Sequence, residues 1–228
     1  GTLVGDFWSG LKSHESWTAH RDDDASLPDA DSLTFLKEGY ERFEFSFPDT
    51  TGTAVSLDDP RFHGKAVVIT LAGSWCPNCH DEAAFMATLY DKYRDDGLEV
   101  IALMFEHSGE FDGAAEQVRR FRDKFDIDYT TLIAGSSDKT LAAEALPQLN
   151  HVLAFPTTIF IGRDGSVRRI HTGFSGPGTG EHYTRLTRDF TRYVEGLLAE
   201  NTPAAGDDPG AAGPEPEPDD ASGDTTST

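Results

Sequence analysis

The chain carries two cysteines, and both fall in Cys76-Pro77-Asn78-Cys79. The apolar run Val67-Val68-Ile69-Thr70-Leu71-Ala72 leads into this motif, and apolar residues at helical spacing follow it. A strand that hands over to a helix through CxxC sets two sulfurs one turn apart at a helix start. Unpaired N–H groups and the helix dipole favour negative charge there, so Cys76 is expected to be the more acidic, nucleophilic thiol. Cys79 is then the thiol that resolves a mixed disulfide formed on Cys76. Pro77 suits the first helical position, where no backbone donor is needed. With no other cysteine, a structural disulfide framework is ruled out, and the fold must rest on its core.

The 228 residues suffice for one ordinary core with an appendage, and the formal net charge is −21. No basic stripe interleaved with aromatics is present, so nucleic acid is not expected as a partner. An anionic membrane surface would repel the chain, and no apolar stretch reaches the length of a membrane span. The acid is spread along the whole chain and arginine outnumbers lysine. Two readings stand: a protein of a salt-loving organism, in which salt screens the self-repulsion, or an ordinary acidic protein with an acidic tail.

Three parts are expected. Residues 201–228 hold Pro, Gly, Ala, Asp, Glu, Ser and Thr without a large apolar residue, and read as a disordered acidic tail. Residues 1–36, with Phe7, Trp8 and Trp17 in short segments and an acidic linker after Arg21, read as the end of an upstream β-rich domain. The abrupt start at Gly1 reads as a piece of a longer precursor, so membrane contact is expected only through a missing anchor. Residues 37–200 form the main domain. Phe43-Glu44-Phe45-Ser46-Phe47 alternates and is answered by Val55-Ser56-Leu57 across a turn at Asp49–Gly52, an N-terminal β-hairpin.

Beyond the hairpin, strands and helices alternate. Strands are expected at 67–72, 98–105, 129–134, 157–161 and 167–171. Helices are expected after Cys76 to Gly97, around Ala114 to Phe125, at 141–146, and on the face Leu186, Phe190, Tyr193, Leu197. This order makes an α/β fold with a mixed central sheet flanked by helices on both faces.

Gly73-Ser74-Trp75-Cys76-Pro77-Asn78-Cys79 resembles the W-C-x-x-C site of the thioredoxin superfamily. Phe155-Pro156-Thr157-Thr158-Ile159-Phe160-Ile161, followed by Arg163-Asp164-Gly165, resembles that superfamily's cis-proline loop, strand and turn. The likeness is closest to the TlpA/ResA-type thiol–disulfide oxidoreductases of bacterial envelopes. It implies a thioredoxin-like fold, a cis Pro156 facing Cys76, and a substrate groove shaped by Trp75, Pro77, Phe155, Pro156 and Thr157. It implies protein thiol or disulfide substrates, an upstream thiol reductant, and a place in the cell envelope or periplasm. It implies no cofactor beyond the redox-active Cys76–Cys79 pair. Thioredoxins themselves carry an acid in the strand before the motif, where this chain has Thr70. Glu82, one turn beyond Cys79, is the expected proton partner of Cys79. His80 and Asp81 are expected in solvent, and Glu106 in a loop.

Other readings compete. Cys76-Pro77-Asn78-Cys79-His80 also fits the c-type haem signature, with Met86 or Met104 as a second ligand. A zinc site lacks ligands at the usual spacing. A peroxiredoxin lacks its threonine or serine pocket, since Gly73 stands three residues before Cys76. A non-catalytic docking module is the reading from another class.

Overall fold

A computed structural model describes residues 1–9 and 13–201. The acidic tail expected at 201–228 lies, past its first residue, outside the described residues. At the N-terminus, β1 (Thr2–Ser9) pairs antiparallel with β2 (Ser13–His20), Thr2 opposite His20. Trp8 stacks on His14 at 3.9 Å, and the Trp17 ring lies over Gly5, where a Cβ would meet it at 2.5 Å. Trp8 and Trp17 remain exposed.

A short helix, α1 (Ala30–Leu33), follows, capped by the Asp29 carboxylate accepting from the Asp31 N–H. The main body begins here, upstream of the boundary expected at residue 37. Asp31 pairs with Arg169 at 2.9 Å, the Thr172 hydroxyl donates to that of Thr34, and the Asn150 side chain bonds the backbone of Leu33 and Phe35. The hairpin is shorter than its alternating pattern suggested: β3 (Ser46–Pro48) pairs with β4 (Ala54–Ser56). Phe43 and Phe45 alternate into the core, but among the described residues no named strand runs beside them to make a ladder.

The central sheet is built from β5 (Ala66–Ala72), then α2 (Pro77–Tyr93), β6 (Leu98–Glu106), α3 (Phe111–Phe125), β7 (Thr130–Ser136), α4 (Lys139–Ala145), β8 (Thr157–Ile161), β9 (Val167–Thr172) and α5 (Glu181–Leu198). Its strand order is β7-β6-β5-β8-β9. β5, β6 and β7 run parallel, whereas β8 and β9 run antiparallel to their neighbours. All seven residues of β5 are buried, which a strand reaches only when both sheet faces are covered. Core volume comes from Phe105, Tyr129, Phe160 and Phe190, with Phe160 edge-on to Phe190 at 5.0 Å. Gly97, at φ 98, ends the turn after α2, and Gly165, at φ 81, makes the turn between β8 and β9. Both positions need left-handed backbone that glycine adopts at no steric cost.

Three placements depart from expectation. Glu106 is the last residue of β6 rather than a loop residue, and it is fully buried. His80 and Asp81 are half-buried rather than in solvent, because the first turn of α2 packs against α3 and the loop near Gly176.

Candidate active site

The site lies where β5 meets α2. Strand β5 stops at Ala72, the chain turns through Gly73-Ser74-Trp75, and Cys76 caps α2 in extended conformation, with Pro77 opening the helix. The Cys76 N–H donates to the Gly73 carbonyl at 3.1 Å and closes that turn. Both cysteines are free thiols and buried, Cys76 at 7% exposure and Cys79 at 1%.

The two sulfurs differ in chemistry. A hydrogen bond from the Cys79 thiol, reinforced by the N–H groups of Cys79 and Asn78, pulls the Cys76 pKa down to about 6 against a burial effect that raises it. Cys79 is pushed up, first because its proton is held by Cys76, then by burial and by the charges of Cys76 and Glu82. A more acidic nucleophile beside a deeper, protonated partner is the division of labour that CxxC exchange requires.

Across the sheet, the Phe155–Pro156 peptide bond is cis, and the Cys76 thiol donates to the Phe155 carbonyl at 3.5 Å. Pro156 therefore sits opposite Cys76, as expected. Trp75 is partly exposed at 37%, its ring edge-on to Phe155 at 5.8 Å and stacked on His107 at 4.6 Å. It borders the thiols and is not a core aromatic. Pro77 is exposed beside Cys76. Thr157 corrects the expectation of a groove-lining side chain: it is fully buried, and its hydroxyl donates to the Ala154 carbonyl at 2.8 Å. Its side chain braces the loop from behind.

Glu82 is buried at 1% exposure, on the face of α2 turned toward β8. The Thr158 hydroxyl donates to its carboxyl at 2.6 Å. Burial, aided by the Cys76 charge, raises its pKa to about 8, against the lowering effect of the Thr158 bond. A carboxyl that titrates near neutrality can hand over and take back a proton at working pH. Thr70, in place of the thioredoxin acid, is buried opposite Thr158 in the β5–β8 register.

Sequence reasoning missed four residues that surround this centre: Ser74, Glu106, His107 and Thr158. Only Glu106 left a signal, an acid at the end of an apolar strand. The haem reading finds its ligands committed elsewhere: Met86 and Met104 are fully buried in the core, and the His80 ring lies against Phe121 and Phe125 with Nε2 on the Ser74 carbonyl at 2.7 Å.

A mixed five-stranded sheet with a polarised CxxC dithiol at a strand-to-helix junction and a cis-proline loop beside it defines a thioredoxin-fold dithiol protein. The Redoxin family model matches residues 30–185. The thioredoxin-like protein YneN of Bacillus subtilis is 30% identical over 138 residues, which cover 60% of this chain and 73% of that protein. The thiol-disulfide oxidoreductase ResA of Bacillus thuringiensis is 31% identical over 134 residues, 58% of this chain and 68% of that protein. Among solved structures, a thiol:disulfide interchange protein of the thioredoxin family from Chlorobium tepidum superposes with a TM-score of 0.53 at 19% identity, over 69% of this chain and 95% of that one, a likeness of fold. The chain belongs to the Redoxin family and, within the thioredoxin superfamily, is a TlpA/ResA-type thiol–disulfide oxidoreductase.

Proposed function

We propose that the chain passes electrons to disulfides of other proteins on the extracytoplasmic side of a bacterial envelope, with Cys76 as nucleophile, Cys79 as resolving thiol and Glu82 as their proton partner. The observation that carries this reading is the placement of two free thiols at the start of α2, with the Cys76 thiol donating to the Phe155 carbonyl beside the cis Pro156; the lowered acidity midpoint of Cys76 and the raised one of Cys79 agree with it.

In the first step the Cys76 thiolate attacks one sulfur of a substrate disulfide. The substrate S–S bond breaks, and its other sulfur leaves as a thiolate that takes a proton from water. Cys79 must then lose its own proton. Glu82, as carboxylate, accepts it, and the Cys79 thiolate attacks Cys76. The substrate's first sulfur leaves, two electrons have passed to the substrate, and Cys76–Cys79 is a disulfide. A dithiol reductant upstream restores it by the same chemistry in reverse. Timing favours Glu82 in this role. The Cys76 charge helps hold the Glu82 proton in place, and that charge disappears when Cys76 enters the mixed disulfide.

ResA relatives, named thiol-disulfide oxidoreductases, support disulfide exchange between thiols as the chemistry. The test is turnover of insulin disulfides with dithiothreitol as donor. Cys76→Ser should fall to the uncatalysed rate; a variant that still accelerates the reaction would rule out this mechanism.

A further inference from the structure

Glu106 is a fully buried carboxylate outside the reacting set, and both of its oxygens go to one residue. Oε1 accepts the Ser74 N–H at 2.8 Å, and Oε2 accepts the Ser74 hydroxyl at 2.6 Å. From the opposite side, His80 Nε2 donates to the Ser74 carbonyl at 2.7 Å. That bond places the ring proton on Nε2 and leaves Nδ1 as acceptor, toward Lys124 Nζ at 3.4 Å. Ser74 thus has its N–H, its hydroxyl and its carbonyl all held by side chains, two residues before the nucleophile.

The rest of the turn is equally constrained. Trp75 Nε1 donates to the carbonyl of Phe105, the residue before Glu106, at 2.8 Å. A Cβ on Gly73 would stand 2.4 Å from that nitrogen and 2.8 Å from that carbonyl. The last two residues of β6 therefore grip both Ser74 and Trp75, while the Gly73 carbonyl takes the Cys76 N–H. Turn backbone at a protein surface is ordinarily completed by water, and burying a carboxyl group costs free energy unless its bonds are made. A buried acid spent wholly on a loop residue next to the reactive sulfur is a device for fixing geometry.

We infer that Glu106 is a positioning residue for the exchange reaction: with His80 as the opposing grip, it clamps Ser74 and thereby holds the Cys76 sulfur over the α2 N-terminus and the Trp75 ring beside it. This deepens the dithiol reading and rests on it. Loosening the clamp lets Cys76 drift from the N–H groups that stabilise its thiolate, and lets Trp75 leave the substrate side. Removing an acid by charge alone would lower the acidity midpoint of a neighbouring thiol, so an upward shift reports geometry.

The test is the pH profile of Cys76 alkylation by iodoacetamide, read with KM and kcat for insulin reduction and with thermal melting. Glu106→Ala should raise the alkylation midpoint by about one pH unit, slow alkylation roughly tenfold at pH 5, and raise KM more than it lowers kcat. Glu106→Gln keeps an acceptor for the Ser74 N–H and should restore most of the profile. Ser74→Ala, which removes only the hydroxyl, should shift the midpoint in the same direction by less, and it carries the test where Glu106→Ala does not fold. A lower melting point with an unmoved or lowered midpoint would overturn the inference, as would Glu106→Gln shifting the profile as far as Glu106→Ala. Parent protein with no thiol reactive near pH 6 would instead defeat the dithiol reading beneath it.

Discussion

Glu82 shows how far burial can change a side chain. Its carboxyl is sealed inside the domain with the Thr158 hydroxyl as its bonded partner, and its pKa stands at about 8 against an ordinary 4.5. The folded state therefore holds a proton that the unfolded chain gives up, and stability falls as pH rises from 4.5 toward 8. Cys76 has the opposite sign. Its pKa is lowered from 9.0 to about 6, so it adds stability as pH rises through that interval. Between pH 4.5 and 6 Glu82 lowers stability, in the same direction as the buried Glu106, whose pKa burial also raises; from 6 to 8 the Glu82 and Cys76 slopes oppose; between 8 and 9 that of Cys76 continues, and above 9 the raised Cys79 turns the slope downward. Glu82→Gln should shrink the fall below pH 6, so that urea midpoints at pH 5 and pH 6 lie closer together than in the parent, which is more stable at pH 5. The same variant should slow resolution of a Cys76 mixed disulfide by roughly 10²-fold, the usual scale for a lost proton acceptor. Persistence of the parent's stability slope in Glu82→Gln would mean that another group carries that proton. The positions of Cys76 and Cys79, with Glu82 one turn on, were legible from local spacing, and Pro156 from the likeness of its segment to the thioredoxin cis-proline loop. Thr158 and Glu106 were not, since their roles depend on which strands lie side by side and reach partners 76 and 32 residues away.

At the scale of elements, the junction of β5 with α2 does most to set the chemistry. The strand delivers the turn, the turn delivers Cys76 as helix cap, and β6 supplies the walls. Gly73 has no room for a side chain between the Trp75 indole and the Phe105 carbonyl. Gly73→Ala should push the indole off that carbonyl, destabilise the fold by about 1–3 kcal/mol, and change Trp75 fluorescence together with KM for insulin. Unchanged fluorescence and KM would show that the ring position is not set by this contact. Strand β8 was read from its sequence with both ends in place, because a run of β-branched and apolar residues bounded by Pro156 and a turn leaves one choice. The hairpin ahead of β5 was read too long, because Phe43 and Phe45 alternate into the core without a neighbouring named strand to pair with. Alternation reports burial on one side, and only a partner makes a ladder.

Over the whole molecule, a net charge of −21 opposes compaction. Several of the ion pairs are exposed at both partners, such as Arg21–Asp23 and Arg120–Glu116, and contribute little each. Added salt should therefore stabilise the fold by screening repulsion, and the urea midpoint should rise between 0.1 and 2 M KCl; a flat or falling midpoint would separate this chain from salt-adapted proteins. Composition announced that charge at once, whereas the packing of residues 30–36 onto β9 and Asn150 was hidden, because an acidic segment ahead of a domain looks like linker until Arg169 is seen beside Asp31. The central claim concerns what the molecule does to other proteins, and mixed-disulfide trapping tests it most directly. Cys79→Ser protein, reduced and then offered oxidised insulin, should accumulate a covalent adduct on Cys76 that dithiothreitol releases, while Cys76→Ser protein should form none. An adduct that forms equally on Cys76→Ser protein, or none on Cys79→Ser protein, would contradict the assignment of Cys76 as nucleophile and Cys79 as resolving thiol.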